Sequence, residues 1–374
     1  MKRLGAWGLL LLLIGCKSDA PAPIDPDAEA YCAECCRRTV DDEIVACNPQ
    51  QLDSCERLIT ETLNVVCPET TQAYYQCVTA NNPGNAPGQE CDVTPCKDEW
   101  DAREFCMGNA PRDKVRIQIE GLRPSANLGH RGSGRTDPDN PFPENSLNGF
   151  TAAIIVGADG VALDVQVTAD NRPIVIHDDT LDRTTDCTGC VNQMTIDELR
   201  LCRLLDGEGN VTDQKLPALL EVYTVVSGDS LVNIEIKTFG EDCASDTASI
   251  ETMVVNLLDG IDSIGAAERT IFSSLDESVV ELIKTERPGF YSALISQTPG
   301  PDLIAKAIEL EQDAIHPFYS ISADNVESAL DAGLQVNVWV VNGAELMQEQ
   351  IDKGVTGIIT DEPEVLTEVL AQQP

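Results

Sequence analysis

The sequence predicts an α/β protein, a closed (β/α)8 TIM-type barrel preceded by a small disulfide-rich, helical domain. Three observations predict it. Across residues 115–374, short β-rich runs alternate with helical stretches, as β-α units around a parallel sheet do. About 250 residues with roughly eight such units match the size of a closed barrel. Ahead of them, ten of the fifteen cysteines crowd between Cys32 and Cys106. An open doubly wound sheet is the alternative; its Gly-x-Gly-x-x-Gly fingerprint after a first strand is absent.

The elements follow in chain order. Residues 1–15 read as a lipoprotein signal peptide. Lys2 and Arg3 give a positive start, and an apolar run covers residues 4–14. That run falls short of the roughly 20 residues a bilayer span needs. It ends in Leu13-Ile14-Gly15-Cys16, which resembles a bacterial lipobox, where cleavage precedes the cysteine and the thiol carries lipid. An ordinary secretory signal cut elsewhere is the competing reading. Residues 16–30 are polar and Pro-rich, as a tether should be. The expected protein is exported and anchored to the membrane of a bacterial envelope through lipid on Cys16, on the periplasmic side or the cell surface.

Residues 31–111 form the Cys-rich domain. Setting Cys16 aside leaves fourteen cysteines, ten here and four between Cys187 and Cys243. In an exported chain this density reads as a disulfide framework, which compensates for a small core. Zinc competes at Cys32-x-x-Cys35 and Cys187-x-x-Cys190, but neither has a partner pair at finger spacing. Residues 54–66 and 71–79 read as helices. The domain has no histidine and no catalytic constellation, so it is expected to be a binding or spacer module.

Over the whole chain the formal charge is -38, the pI is near 4.1 and aromatic residues make up 4%. This balance excludes nucleic acid and polybasic membrane contacts, which need Lys and Arg. Within the barrel, β-rich runs fall at 126–129, 161–167, 173–177, 231–236, 270–273, 291–295, 335–341 and 357–360. A ninth candidate at 314–316 competes for the eight places. Helices are expected at 146–156, 195–204, 218–226, 248–261, 278–285, 302–311, 323–332 and 344–353.

The chain holds only three histidines. His130, in Gly129-His130-Arg131-Gly132, and His177, in Ile176-His177-Asp178-Asp179, both follow expected strands. That edge of a β/α barrel is where active sites are built. Each histidine alone reads as structural. As a pair at matching strand ends they suit general acid–base work. Asp164 and Glu235 lie inside apolar strands, where an unpaired carboxylate is costly to bury. Lys237, two residues beyond Glu235, should share its face. A hard cation and a buried Glu–Lys ion pair are both open as the partner. His316 reads as structural, and Cys187-Thr188-Gly189-Cys190 as a local disulfide stiffening the rim.

The blocks His130-Arg131-Gly132, Pro143-Glu144-Asn145-Ser146, Leu163-Asp164-Val165, His177-Asp178, Glu235-Ile236-Lys237, Trp339-Val340-Val341-Asn342 and Thr360-Asp361-Glu362-Pro363 occur in order. Over about residues 127–365 the chain resembles the glycerophosphodiester phosphodiesterase family. The resemblance implies a β/α barrel that hydrolyses glycerophosphodiesters to glycerol 3-phosphate and an alcohol with the help of Ca2+ or Mg2+. It makes His130 and His177 the acid–base pair, and Arg131 and Lys237 the phosphate-binding cations. Asp164 and Glu235 become metal ligands, with Glu144 supporting the site. One departure stands out. The family's usual Glu-x-Asp reads Ala162-Leu163-Asp164 here, and a methyl cannot bind a cation. Water or Glu144 is the candidate to fill that vacancy. Otherwise the enzyme is weak, or the barrel is a non-catalytic surface lipoprotein that binds phosphate esters or a partner. A phospholipase D-like activity on lysolipids is a further alternative.

Overall fold

The computed structural model describes residues 37–40, 43–46, 110–122, 124–226 and 228–373. The chain divides into two units, Met1–Glu104 and Phe105–Pro374. In the first, Arg37–Val40 and Glu43–Ala46 pair as antiparallel strands, within a segment expected to be helical. The signal peptide, Cys16, the tether, the helices expected at 54–66 and 71–79 and the ten-cysteine framework lie outside the described residues.

The second unit is a closed barrel of eight parallel strands: β1 (Ala126–His130), β2 (Gly160–Val167), β3 (Leu231–Ile236), β4 (Thr270–Ser274), β5 (Tyr291–Ser296), β6 (Ala314–Pro317), β7 (Gln335–Val338) and β8 (Gly357–Thr360). Each pairs with the next, and β8 closes on β1 with Gly357 opposite Ala126. The strands are apolar on both faces because both are covered. On β2, Val161, Leu163 and Val165 join the core shared with the surrounding helices. Each contributes about 1.5–3 kcal/mol by leaving water. Alternation turns Ala162 and Asp164 inward. Inside, Leu128, Ala162, Leu231, Ile271, Tyr291, Ala293, Ala314 and Ile359 fill the lumen.

A helix follows each strand. Their starts carry the expected signals: Ser146, Ser249, Asp276 and Ser322 accept backbone N–H bonds at the caps, and Pro301 and Pro363 open two others. Two helices were not expected from periodicity. Pro363–Leu370 closes the chain, and Ala110–Gly121 precedes β1. The latter is polar overall, yet Val115 and Ile119, one turn apart, pack into the cluster that fills the lumen.

The surplus strand candidate is 173–177, not 314–316. Pro173–Val175 folds back antiparallel on the end of β2, with Val175 opposite Val165. The link of residues 168–172 is too short for a crossover, which needs a dozen residues or more, so only a hairpin is possible. Asn171 takes the left-handed backbone (φ 57°) in that turn. The helix expected at 195–204 stops at Leu199, and Arg203–Leu205 then pairs antiparallel with Val211–Lys215. Residues 168–218 thus form an arm on β2 with its own small core of Ile174, Ile176, Leu181, Ile196, Leu199 and Leu204. Among the described residues no helix is long and apolar enough to cross a membrane.

Candidate active site

The carboxyl ends of β1, β2 and β3 supply most of the candidate residues. His130 closes β1, and the chain then reverses sharply. Arg131 adopts the left-handed backbone (φ 52°), and Gly132 follows at φ 96°, where a Cβ would lie 2.7 Å from the Gly149 backbone. The reversal lets the Arg131 N–H donate to the Ala162 carbonyl (2.6 Å), and the Asn145 N–H donate to the Arg131 carbonyl (2.9 Å). Asp164 on β2 is in register with Glu235 on β3. Lys237 lies just past β3, its N–H held by the Val165 carbonyl at 3.0 Å. His177 arrives differently. It rides on the arm, docked by an Ile176 N–H to Asp164 carbonyl bond (3.0 Å) and by Gln166 Nε2 donating to the His177 carbonyl (3.0 Å). His130, Arg131, Asp164, His177, Glu235 and Lys237 all line one cavity of about 230 Å³. Trp339, Ile295 and Leu275 add an apolar wall.

Each imidazole is held by its own carboxylate. His130 Nδ1 lies 2.7 Å from Asp361 Oδ1, and Asp361 Oδ2 accepts from Asn342 Nδ2 at 2.9 Å and Arg135 Nη2 at 3.3 Å. His177 Nδ1 lies 2.6 Å from Asp178 Oδ1, and Asp178 accepts from Arg183 Nε at 2.6 Å. An ionised carboxylate only accepts, so each Nδ1 donates and each Nε2 is left for reaction. Burial works against the Asp361 charge, but His130, Asn342 and Arg135 hold that carboxyl well below the usual range. The His177 bond, followed by Arg183, holds Asp178 low despite partial burial.

Glu144 is buried behind Arg131 and does not line the cavity. Its Oε1 accepts from Arg131 Nη1 and Arg183 Nη2, both at 2.7 Å. Its Oε2 accepts from Arg183 Nη1 (2.9 Å) and the Thr136 N–H (3.0 Å). Burial alone would raise its pKa; the two guanidinium groups instead bring it down to about 2. Asp164 is equally occupied. Oδ1 faces Lys237 Nζ at 3.2 Å, while Oδ2 accepts from Asn145 Nδ2 at 2.9 Å and lies 3.3 Å from Arg131 Nε. The same Nζ hydrogen-bonds Glu235 Oε1. Burial disfavours the Lys237 ammonium, but Asp164 and Glu235 outweigh it and keep its pKa above the ordinary lysine value.

These residues do not fit a Ca2+ or Mg2+ ion. Among the described residues, no group of three or more His, Cys, Asp or Glu side chains is arranged to hold one. Ca2+ takes about six to eight oxygens, water included, and Mg2+ keeps several waters beside one or two carboxylates that must be free to face it. Here Ala162 offers none, Glu144 is locked to two arginines, and an ammonium already stands between Asp164 and Glu235.

The structure therefore gathers six of the candidate residues and leaves Glu144 behind the wall. His316 is fully buried on β6, its Nε2 accepting from Asn337 Nδ2 at 3.0 Å, and burial pushes its pKa down to about 3. It also borders the cavity. Asp361, Asp178, Arg183 and Asn145 had no role assigned from sequence. Asp361 directly follows β8, the same edge that flagged His130, and Asp178 adjoins His177. Both are placed to orient an imidazole. The local Cys187–Cys190 bond is corrected: Cys187 pairs with Cys202 and Cys190 with Cys243. The second bond fastens the arm to the segment beyond Lys237, where the Gly240 N–H also donates to Asp179 Oδ2 at 2.8 Å. These bonds also remove zinc as the reading of Cys187-x-x-Cys190.

The profile of the Glycerophosphoryl diester phosphodiesterase family matches residues 130–365. A glycerophosphodiester phosphodiesterase of Caldanaerobacter subterraneus subsp. tengcongensis is 34% identical over 243 residues, spanning 64% of this chain and 95% of the relative. The crystal structure of glycerophosphodiester phosphodiesterase from Thermotoga maritima superimposes with a TM-score of 0.52 at 26% identity, over 65% of this chain and 96% of that one. An Oleispira antarctica phosphodiesterase, solved with sn-glycerol-3-phosphate, has a TM-score of 0.58 over 68% of this chain and 99% of its own; at 21% identity that likeness is one of fold.

Proposed function

The chain belongs to the glycerophosphoryl diester phosphodiesterase family, and we propose that it hydrolyses a glycerophosphodiester to glycerol 3-phosphate and an alcohol. One observation carries the reading. Two imidazoles, each fixed at Nδ1 by its own carboxylate, border one cavity together with two cations. A phosphodiester is an anion, so its charge must be screened before a nucleophile can approach. Arg131 and Lys237 supply that screening. One imidazole Nε2 takes a proton from the attacking water as the new P–O bond forms. The other gives a proton to the alcohol oxygen as the old P–O bond breaks. The apolar wall of Trp339, Ile295 and Leu275 receives the uncharged part of the substrate.

Release of glycerol 3-phosphate from glycerophosphocholine or glycerophosphoethanolamine by the purified protein tests this. Turnover that disappears in His130→Ala and in His177→Ala is the expected result. No turnover with any glycerophosphodiester, alongside measurable binding of glycerol 3-phosphate, turns the reading into that of a phosphate-ester-binding lipoprotein. Conversion of a lysolipid but no glycerophosphodiester points to the phospholipase D-like variant.

We place the activity outside the cytoplasm, on the envelope side of a membrane reached through lipid on Cys16. The support is the Leu13-Ile14-Gly15-Cys16 sequence and the two disulfides of the barrel, bonds typical of oxidising compartments. A Cys16→Ser variant should leave the membrane fraction; retention there defeats the assignment.

A further inference from the structure

We propose that the Lys237 ammonium takes the place of the divalent cation in this chain, so that phosphodiester hydrolysis here requires no metal. The inference rests on the phosphodiesterase reading of the same site. Asp164 and Glu235 sit side by side on β2 and β3, and a cation bridging them would stand between their carboxylates. Lys237 Nζ stands there, 3.2 Å from Asp164 Oδ1 and hydrogen-bonded to Glu235 Oε1.

The remaining ligands are removed one by one. Position 162 lies on the same face as Asp164, beside His130 and Asn233 on the neighbouring strands, and carries only a methyl. Asp164 Oδ2 is taken by Asn145 Nδ2 at 2.9 Å. Glu144 holds Arg131 and Arg183.

Charge counting gives the same answer. Asp164 and Glu235 carry two negative charges; Lys237 lies within ion-pair distance of both and Arg131 of Asp164, so the two carboxylates already face two positive charges. A dication added to this balanced, mostly buried set would bring two uncompensated charges, which is costly away from water. A third carboxylate at position 162 would reverse the sign of the imbalance and create demand for a metal. Ala162 and the seated ammonium thus belong together. An ammonium has three donors. Two point at carboxylates, and the third remains for a phosphoryl oxygen in the cavity that Lys237 lines. An ammonium screens charge but does not generate hydroxide from water as a bound metal does. Activation of the nucleophile therefore falls on the imidazoles.

The test uses the full-length protein, stripped with EDTA and dialysed. Ca2+ and Mg2+ binding is measured by calorimetry on the natural protein, on Asp164→Asn and on an Ala162→Glu/Lys237→Ala double variant. Glycerol 3-phosphate release is followed with EDTA and with millimolar Ca2+ or Mg2+. The expected result is no binding event in the natural protein that Asp164→Asn removes, turnover unchanged by EDTA, and a new Ca2+ site in the double variant. A single site in the natural protein that Asp164→Asn abolishes overturns the proposal. So does EDTA-abolished turnover that metal restores. If no diester is hydrolysed under any condition, the phosphodiesterase reading falls, and the calorimetry alone still decides whether this centre binds a metal.

Discussion

Asp361 Oδ1 meets His130 Nδ1 at 2.7 Å, joining the end of the last barrel strand to the end of the first. The contact fixes which ring nitrogen carries the proton. In Asp361→Asn the amide can donate to Nδ1 and move the proton to Nε2. We expect kcat to fall about 10²–10⁴-fold, the scale of general acid–base catalysis, with KM nearly unchanged and the circular dichroism intact. A loss confined to KM would refute an orienting role.

Arg183 bridges Glu144 and Asp178 from a half-exposed position. Arg183→Met leaves Glu144 buried with Arg131 as its sole charged partner. A loss of about 1–3 kcal/mol in urea unfolding is expected, discounted for the exposure of Arg183. Adding Glu144→Gln should recover part of it, because the stranded charge is then gone.

Acid sensitivity should come in two stages. His316 has its folded pKa pushed from 6.5 to about 3, so the unfolded chain takes up the proton first. Its contribution is whole above pH 6.5 and is lost as pH falls towards 3, at up to about 1.4 kcal/mol per pH unit. Glu144 has its folded pKa lowered from 4.5 to about 2, so its contribution is whole above pH 4.5 and is lost between there and 2. Asp178 and Asp361 act in the same direction. Melting temperature against pH should flatten between 6.5 and 4.5 in His316→Gln. A slope there equal to that of the natural protein contradicts the assignment.

The Cys190–Cys243 bond spans 53 residues and holds the arm beside Lys237. Chain-entropy arguments give a bond of this span about 4 kcal/mol. Cys190→Ser/Cys243→Ser should lower the melting temperature and reduce kcat, since His177 then rides on a looser arm. Unchanged kcat at a temperature where the variant is fully folded would separate the bond from catalysis.

Much of this was legible in the sequence because barrel strands buried on two faces leave continuous apolar runs, and scarce histidines mark themselves. Two errors have physical origins. The run at 173–177 has strand composition, but composition does not tell parallel from antiparallel. The short link from Val167 to Pro173 carried that information. The cysteines at 187 and 190 are close in sequence, yet each bonds to a partner set by the fold of the arm. Asp361 was hidden for a different reason. Its meaning comes from closure of the barrel, which brings residues 231 positions apart into contact.

His130, Arg131, Asp164, Glu235, Lys237 and Asp361 ride on or beside the barrel strands. His177, with Asp178 and Arg183 that hold it, is delivered by an appendage with its own miniature interior. Such a unit opens at lower free energy than the ring it leans on. A warmed sample should therefore hold molecules that are folded by every spectroscopic measure but lack their second proton carrier. Specific activity will report how firmly the appendage is seated, and heat inactivation will run ahead of the cooperative melt.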